Sequence, residues 1–222
     1  MNPIMRRSFI RLGLIALVIG TADTLHAKEI SHYLFPQFME GSILMKDGVV
    51  NKARLNYNAA SEEMVFMQKD KILALAEVTL NQIDTIYIEQ RKFIYLDKKI
   101  MEVLHRSGYQ LLAHYKCRVI PPGNPAGYGG TSQTSAVDSY SNWIQGGRMY
   151  ELQLPDDFKV IPYSVYYLER NNEKKTFTSM GQLKKYYQNK SKLFNDYIQK
   201  NNPDFNNQLA IAQLIACMET NI

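Results

Sequence analysis

The sequence predicts an α+β fold in which an antiparallel, meander-like sheet, open or folded into a sandwich, precedes a helical C-terminal segment. Three observations lead to this prediction. Between residues 41 and 120, short apolar runs recur at spacings of about 8–12 residues, with turn-forming residues between them. Within several of these runs apolar and polar residues alternate, which is the period of a strand. After residue 178 the apolar residues recur every three or four positions instead, which is the period of a helix.

The first 27 residues have the order of a secretory signal peptide. Arg6, Arg7 and Arg11 precede an apolar run at residues 12–20, and a polar stretch ends at Ala27. This run is too short to cross a bilayer, which needs about 20 apolar residues, so we expect cleavage near Ala27 and a periplasmic or envelope-associated product. An uncleaved anchor and a buried N-terminal helix remain alternatives. The paired arginines leave both the general secretory and the twin-arginine export routes open.

The charge of the chain argues against a nucleic-acid partner. The 222 residues include 26 basic and 21 acidic side chains, and without the signal 23 and 20 remain, for a net charge of only +3. Nucleic-acid binders usually carry a stronger basic excess. No run of 18 apolar residues follows Ala27, so the sequence predicts no transmembrane span in the mature chain.

A β-rich domain is predicted over residues 28–178. Its first hairpin joins residues 43–45 to 49–57, because the intervening Asp47-Gly48 pair favours a tight turn. The second of these strands alternates apolar and polar residues, so we expect it to be half buried. Further strands are predicted at residues 64–67, 72–76, 83–88, 93–96, 101–105, 109–119, 149–154 and 160–168. Pro162 in the last of these indicates an edge or a bulge.

The hairpin around Gly108 is the most regular in the sequence. Residues 109–119 carry an apolar residue at every odd position, and a shorter apolar row ends at His105. A three-residue turn with Gly108 in the left-handed conformation would pair His105 with Tyr109 and place both rows on one face. The same parity puts His114 on the opposite, polar face.

Residues 121–147 form a long segment of turn-forming composition. Of its 27 residues, 15 are Gly, Pro, Ser or Thr and only Asp138 is charged. Loops of this length are uncommon in compact domains unless they are functional or disordered. The aromatic residues Tyr128, Tyr140 and Trp143 offer contact area for a partner, since Trp and Tyr are enriched at binding hot spots. A mobile surface loop is the alternative.

The C-terminal segment, residues 179–222, is predicted to form helices packed on the sheet. Helices are expected at residues 180–188 and 190–200 and from Phe205 onward. Ser179 and Gln182 have the spacing of a capping box at the start of the first helix. The last helix carries a broad apolar stripe between Leu209 and Met218, which an exposed face of the sheet would cover.

No catalytic or metal-binding set emerges from the sequence, and no cofactor is predicted. His32, His105 and His114 lack the spacing of metal ligands, so each is interpreted as structural or exposed. The two cysteines, Cys117 and Cys217, allow two alternatives. In an oxidising periplasm they would form a disulfide that closes 100 residues of chain, or they are two buried thiols that act as small hydrophobic residues.

A basic segment follows the sheet. Residues 170–200 carry eight Lys and Arg side chains against two acidic ones. Such a segment is a candidate contact for an anionic envelope surface, such as lipid head groups. A solvated helix face is the more ordinary interpretation.

The chain resembles a family of uncharacterised exported proteins from Bacteroidetes. The resemblance rests on residues 55–58, 62–66 and 84–88, on the Gly-Tyr-Gly-Gly-Thr-Ser-Gln-Thr-Ser string at 127–135, and on the Lys-rich C-terminal helices. It implies export to a Gram-negative envelope and brings no activity, cofactor or site residues.

The sequence therefore predicts a non-enzymatic envelope protein that binds a partner, an envelope protein for example, through the 121–147 loop or an exposed sheet surface. The alternative is a periplasmic carrier of a lipid or other apolar ligand, held between a curved sheet and the C-terminal helices. A hydrolase is the least supported class, because no nucleophile, base or metal set is apparent.

Overall fold

A computed structural model describes residues 32–120, 124–126, 130–132 and 159–220 of the chain. The predicted signal peptide and the predicted strand at 149–154 lie outside these residues. The strands are β1 (Met39–Met45), β2 (Val50–Asn58), β3 (Glu63–Gln68), β4 (Lys71–Ala74), β5 (Ile83–Ile88), β6 (Arg91–Leu96), β7 (Lys99–Ser107), β8 (Tyr109–Ile120), β9 (Asn124–Ala126), β10 (Gly130–Ser132), β11 (Lys159–Arg170) and β12 (Glu173–Phe177). The helices are α1 (Glu77–Leu80), α2 (Met180–Tyr186), α3 (Ser191–Asn201) and α4 (Gln208–Thr220).

Ten of the strands form one antiparallel sheet in the order β12-β11-β8-β7-β6-β5-β1-β2-β3-β4. Most neighbours in the sheet are also neighbours in sequence, as in a meander, and β9 and β10 pair separately. This arrangement, with the C-terminal helices, confirms the predicted α+β class. Among the described residues, no helix is long and apolar enough to span a membrane.

The β1–β2 hairpin forms as predicted. Gly48 takes a φ of 90°, a left-handed conformation that glycine adopts without steric cost. The Asp47 carboxylate accepts a hydrogen bond from the backbone N–H of Val49 at 3.0 Å, which closes the turn.

The second strand is not half buried along its whole length. Leu55 and Tyr57 face the core as expected, but Asn56 and Asn58 on the other face are also buried. Asn56 meets its hydrogen-bonding needs by donating to the carbonyl of Phe35 and accepting from its N–H. Alternation did not predict this, because the segment at residues 32–38 covers the polar face.

The β7–β8 hairpin has a different register from the predicted one. Gly108 is left-handed, with a φ of 75°, but the register irregularity between Val103 and His105 pairs His105 with Leu111 rather than Tyr109. The extra residue, as in a β-bulge, shifts the apolar face of β7 by one position. The rings of His105 and Tyr109 still stack at 4.1 Å between centroids.

Strand β8 extends beyond β7, and the β2–β3 turn at residues 59–62 covers its free edge. The backbone N–H of Cys117 donates to the carbonyl of Ala59 at 3.1 Å. The Tyr57 hydroxyl donates to the carbonyl of Tyr115 at 3.0 Å. These bonds join residues about 58 positions apart in sequence and bring strands from the two halves of the sheet together.

Pro162 lies where the sequence placed it, at a locally unpaired edge. Strand β11 pairs with β8 along residues 159–169, whereas β12 covers only residues 166–170 of its other side. The position of Pro162 therefore has no strand beyond it, and its missing N–H costs no ladder bond.

The helices pack on the sheet and share its core. Ile211, Leu214, Ile215 and Met218 of α4 are fully buried in the same apolar cluster as strand residues such as Leu111. The hydroxyl of the Ser179 side chain caps α2 by accepting from the N–H of Gln182 at 3.4 Å. The side-chain oxygen of Gln182 accepts a hydrogen bond from the N–H of Thr178. In a capping box it would accept from the N–H of Ser179 instead.

Candidate functional site

A pocket of about 320 Å³ opens where the sheet meets the start of α4. We call it the Lys116 pocket. Five segments and the first residue of α4 supply its walls. The segments are the one before β1, the β2–β3 turn, strand β8, the adjacent strand β11, and the loop between α3 and α4. The lining residues are Tyr33, Leu34, Pro36, Ala59, Tyr115, Lys116, Pro162, Tyr163, Ser164, Asn206 and Gln208. Ligand pockets in proteins begin at about this size, near 300 Å³.

The walls of the pocket are mainly apolar and aromatic, with Lys116 as the one charged residue among those that line it. Burial raises the pKa of Tyr33 to about 12, so its hydroxyl stays protonated at neutral pH. Such a surface, with few polar groups at defined places, is typical of sites for small organic ligands.

A charged bridge borders the pocket. The two carboxylate oxygens of Glu62 are divided between the Lys116 ammonium, at 2.8 Å, and Nε2 of His114, at 3.1 Å. Burial raises the pKa of Glu62, but its contacts with His114 and Lys116 outweigh burial and leave the pKa below its ordinary value of 4.5. His114 is buried, so the structure corrects the prediction of an open polar face there. Its burial follows from the β2–β3 turn, which covers this part of β8.

Buried polar atoms without hydrogen-bond partners concentrate at the same turn. In the described part of the chain they include the Tyr33 hydroxyl, Asn58 Nδ2, Ser61 Oγ and Glu63 Oε2. Tyr33 and Glu63 lie opposite Asn58 on either side of β2, so the three side chains share one face of the sheet. Each such group costs about 1–3 kcal/mol, and in native proteins these groups mark places where water, ions or ligands bind.

A second charged cluster lies beneath the pocket and is fully paired. Arg91 donates two hydrogen bonds to Glu102, at 2.8 and 2.7 Å, and the Tyr115 hydroxyl donates to the same carboxylate. The Arg91 guanidinium also faces the rings of Phe35, Phe93 and Tyr115. Burial, with a smaller contribution from the charge of Glu102, raises the pKa of Tyr115 well above its ordinary value. With every group engaged, this cluster holds the core in place and supports the wall that Tyr115 gives to the pocket.

The structure describes the two cysteines but not the three aromatic residues predicted to contact a partner. Tyr128, Tyr140 and Trp143 lie outside the described residues, so their role stays a prediction. Cys117 and Cys217 carry thiols rather than a disulfide in this structure. Burial, with a smaller contribution from the charge of Glu62, raises the pKa of Cys117 to about 12. The thiol is therefore a poor nucleophile at neutral pH.

The basic segment at residues 170–200 is partly neutralised. Arg170 pairs with Glu219 at 2.7 Å, Lys175 with Glu173 at 2.7 Å and Lys174 with Glu169 at 3.7 Å. The contact of this basic segment with an anionic envelope surface stays a prediction.

Among the described residues, no group of three or more His, Cys, Asp and Glu side chains is placed to hold a metal ion.

Sequence reasoning missed Tyr33, Glu62 and Lys116 as a functional group. No sequence pattern assigns a function to Glu62 or Lys116. No local signal marks the site, because Asn56 and Asn58 fit the polar positions of the alternating strand β2.

Comparison with models of protein families, with curated proteins and with solved structures gives no match to this chain. The resemblance to exported proteins of Bacteroidetes therefore stays a prediction.

Proposed function

We propose that this chain is an exported, non-enzymatic binding protein of the cell envelope that carries a small apolar ligand in the Lys116 pocket. The observation that supports the proposal is the pocket itself, whose 320 Å³ lie between strands β8 and β11, the segment before β1 and the loop that leads into α4. An enclosed cavity of about 150 Å³ accommodates benzene, so the pocket has room for a ligand of about two fused rings.

The charged groups around the pocket favour binding over catalysis. Glu62 is divided between Lys116 and His114, and Glu102 accepts hydrogen bonds from Arg91 and Tyr115. A general base needs a free acceptor within reach of the substrate, whereas these carboxylates already serve neighbouring side chains. Partner binding through the 121–147 loop remains a separate prediction, since that loop lies largely outside the described residues.

Filling the pocket tests the proposal. Asn206 is exposed and lines the pocket from the α3–α4 loop, so Asn206→Trp places a large side chain there without disturbing the core. We expect purified protein to bind a fluorescent apolar probe such as phenylnaphthylamine, and Asn206→Trp to weaken this binding at least about tenfold, because the ring occupies the ligand's volume.

Asn195→Trp is the matched control, because Asn195 is equally exposed on α3 and does not line the pocket. It should bind the probe like the unmodified protein. Equal binding by both variants and the unmodified protein would place the probe elsewhere and refute the proposal. Mass spectrometry of molecules extracted from protein purified from its host would then identify the natural ligand class.

A further inference from the structure

The single charge in the Lys116 pocket indicates the chemistry of its ligand. Ten of the 11 residues that line the pocket are uncharged, and Lys116 alone brings a full charge to the wall. Pockets for small molecules use few polar groups, and those groups orient the ligand. An apolar pocket with one ammonium group is complementary to an apolar molecule that carries one negative charge.

Lys116 is held in place and is charged at neutral pH. Burial lowers its pKa, but its hydrogen bond with Glu62 and the charge of that carboxylate raise the pKa above its ordinary value of 10.5. The side chain keeps about a quarter of its surface exposed, so the ammonium is held at the border between the pocket and solvent rather than enclosed.

The pairing with Glu62 leaves Lys116 able to bind another acceptor. An ammonium group has three N–H donors, and the contact with Oε1 of Glu62 at 2.8 Å uses one of them. Glu62 is shared as well, since its second oxygen lies 3.1 Å from His114. Lys116 therefore keeps two N–H donors beyond the one that contacts Glu62.

We infer that the ligand of the Lys116 pocket is a small apolar carboxylate, whose hydrocarbon or aromatic body packs against Tyr33, Leu34 and Pro162 and whose carboxylate binds Lys116. This inference rests on the proposed function, since it specifies the ligand of the same pocket. It orients the ligand with its charge toward the β2–β3 turn and its apolar body toward α4.

Three probes that share one ring system test the inference: naphthoate, naphthylmethanol and naphthylmethylammonium. Their rings match the room in the pocket, and they differ only in carrying a negative, neutral or positive substituent. We expect naphthoate to bind the unmodified protein about tenfold or more tighter than naphthylmethanol, which is the gain of a charge-assisted hydrogen bond. Naphthylmethylammonium should bind most weakly, because Lys116 repels it.

Lys116→Met removes the charge and keeps a long apolar side chain. This variant should lose the preference for naphthoate, a loss of about tenfold or more in affinity for this probe, and keep its affinity for naphthylmethanol. Lys116→Arg retains the charge and should restore the preference. Lys52→Met is the matched control, because Lys52 is exposed on β2 and does not line the pocket.

The outcomes separate this inference from the proposed function. Equal binding of naphthoate and naphthylmethanol, with both weakened by Asn206→Trp, would overturn the carboxylate inference and leave the pocket as a site for neutral apolar ligands. Failure of all three probes to bind would overturn the proposed function itself. The comparison of probes on the unmodified protein remains decisive even if Lys116→Met does not fold.

Discussion

Glu62 occupies a backbone conformation that non-glycine residues rarely adopt. Its φ is 61°, in the left-handed region, which costs an L-residue roughly 1–2 kcal/mol. The turn holds it there, since the side-chain oxygen Oδ1 of Asn58 accepts hydrogen bonds from the N–H groups of Ala60 and Ser61. In this conformation the carboxylate reaches His114 of β8. The contact between the turn and β8 therefore offsets part of the cost of the backbone strain.

Glu62→Gln should destabilise the protein at neutral pH by about 1–2 kcal/mol, because the ion pair with Lys116 and the contact with His114 are weakened at a partly exposed site. The folded-state pKa of Glu62 lies below its ordinary value of 4.5. Its contribution to stability is therefore complete above that value and is lost as pH falls through the folded-state pKa. Urea unfolding at several pH values between about 7 and 3 measures the effect.

The difference in unfolding free energy between Glu62→Gln and the unmodified protein should shrink as the solution is acidified. Glu40→Gln, at an exposed position of β1, should show a small difference throughout. A difference for Glu62→Gln that stays constant from neutral to acidic pH would show that the carboxylate charge does not hold the turn.

Cys117 should be almost inert toward thiol reagents in the folded protein. It is buried, and burial with the nearby charge of Glu62 raises its pKa to about 12, so little thiolate forms at mildly alkaline pH. Titration in denaturant should detect two thiols with or without prior reduction. Cys117→Ser should lower the count in denaturant from two to one and leave the reaction of the folded protein nearly unchanged. Absence of thiols before reduction would instead establish the disulfide with Cys217.

At the scale of elements, periodicity predicted the strands well and their packing less well. The odd positions of β8 from Leu111 to Val119 are buried as expected. Leu112 and His114 on the opposite face are buried too. Glu62 of the β2–β3 turn contacts His114, and a period-two pattern carries no information about a segment so distant in sequence. The register of β7 was wrong for a similar reason, since a single irregular residue before His105 reverses the faces.

The last turn of α4 is fastened to the sheet by Glu219. Its carboxylate accepts hydrogen bonds from Arg170 of β11 at 2.7 Å and from the Tyr187 hydroxyl at 2.6 Å. Glu219 is buried while Arg170 is a third exposed. Glu219→Ala should therefore cost about 2–4 kcal/mol of unfolding free energy, since it leaves Arg170 and Tyr187 without their acceptor in a partly buried place.

Glu173→Ala is the matched control for this fastening. Glu173 also pairs with a basic residue, Lys175 at 2.7 Å, but both side chains are largely exposed. Exposed pairs contribute at most about 1 kcal/mol, so this variant should unfold close to the unmodified protein in urea. Equal losses in the two variants would show that burial of Glu219 adds nothing to its pairing.

At the scale of the whole molecule, the candidate site is assembled from parts that no local pattern connects. Tyr33, Lys116, Pro162 and Asn206 lie on four segments spread over most of the chain. The sequence predicted that the helices would cover an apolar face of the sheet, and a ligand space between the two was only its alternative. It did not predict which residues line that space, since this depends on the curl that brings Ala59 to Cys117.

The shared core makes the sheet and the helices one cooperative unit. Residues of α4 and of β8 belong to the same apolar cluster, and Leu214 is fully buried within it. Leu214→Ala should therefore cost about 2–5 kcal/mol and lower the urea midpoint of the whole protein. Leu209→Ala should change stability by less than about 0.5 kcal/mol, because Leu209 on the same helix is 65% exposed.

Two measurements on each variant check the cooperativity. Far-ultraviolet circular dichroism follows the helices, and hydrogen exchange of the β8 amides follows the centre of the sheet. Both should report one urea midpoint, and Leu214→Ala should move the two together, because the helices have no core of their own and the face of β8 that they cover would be exposed by their loss. Loss of helical signal while β8 stays protected would show that the sheet is stable without α4, and the wall of the Lys116 pocket formed by the α3–α4 loop would then be an independently mobile part of the site.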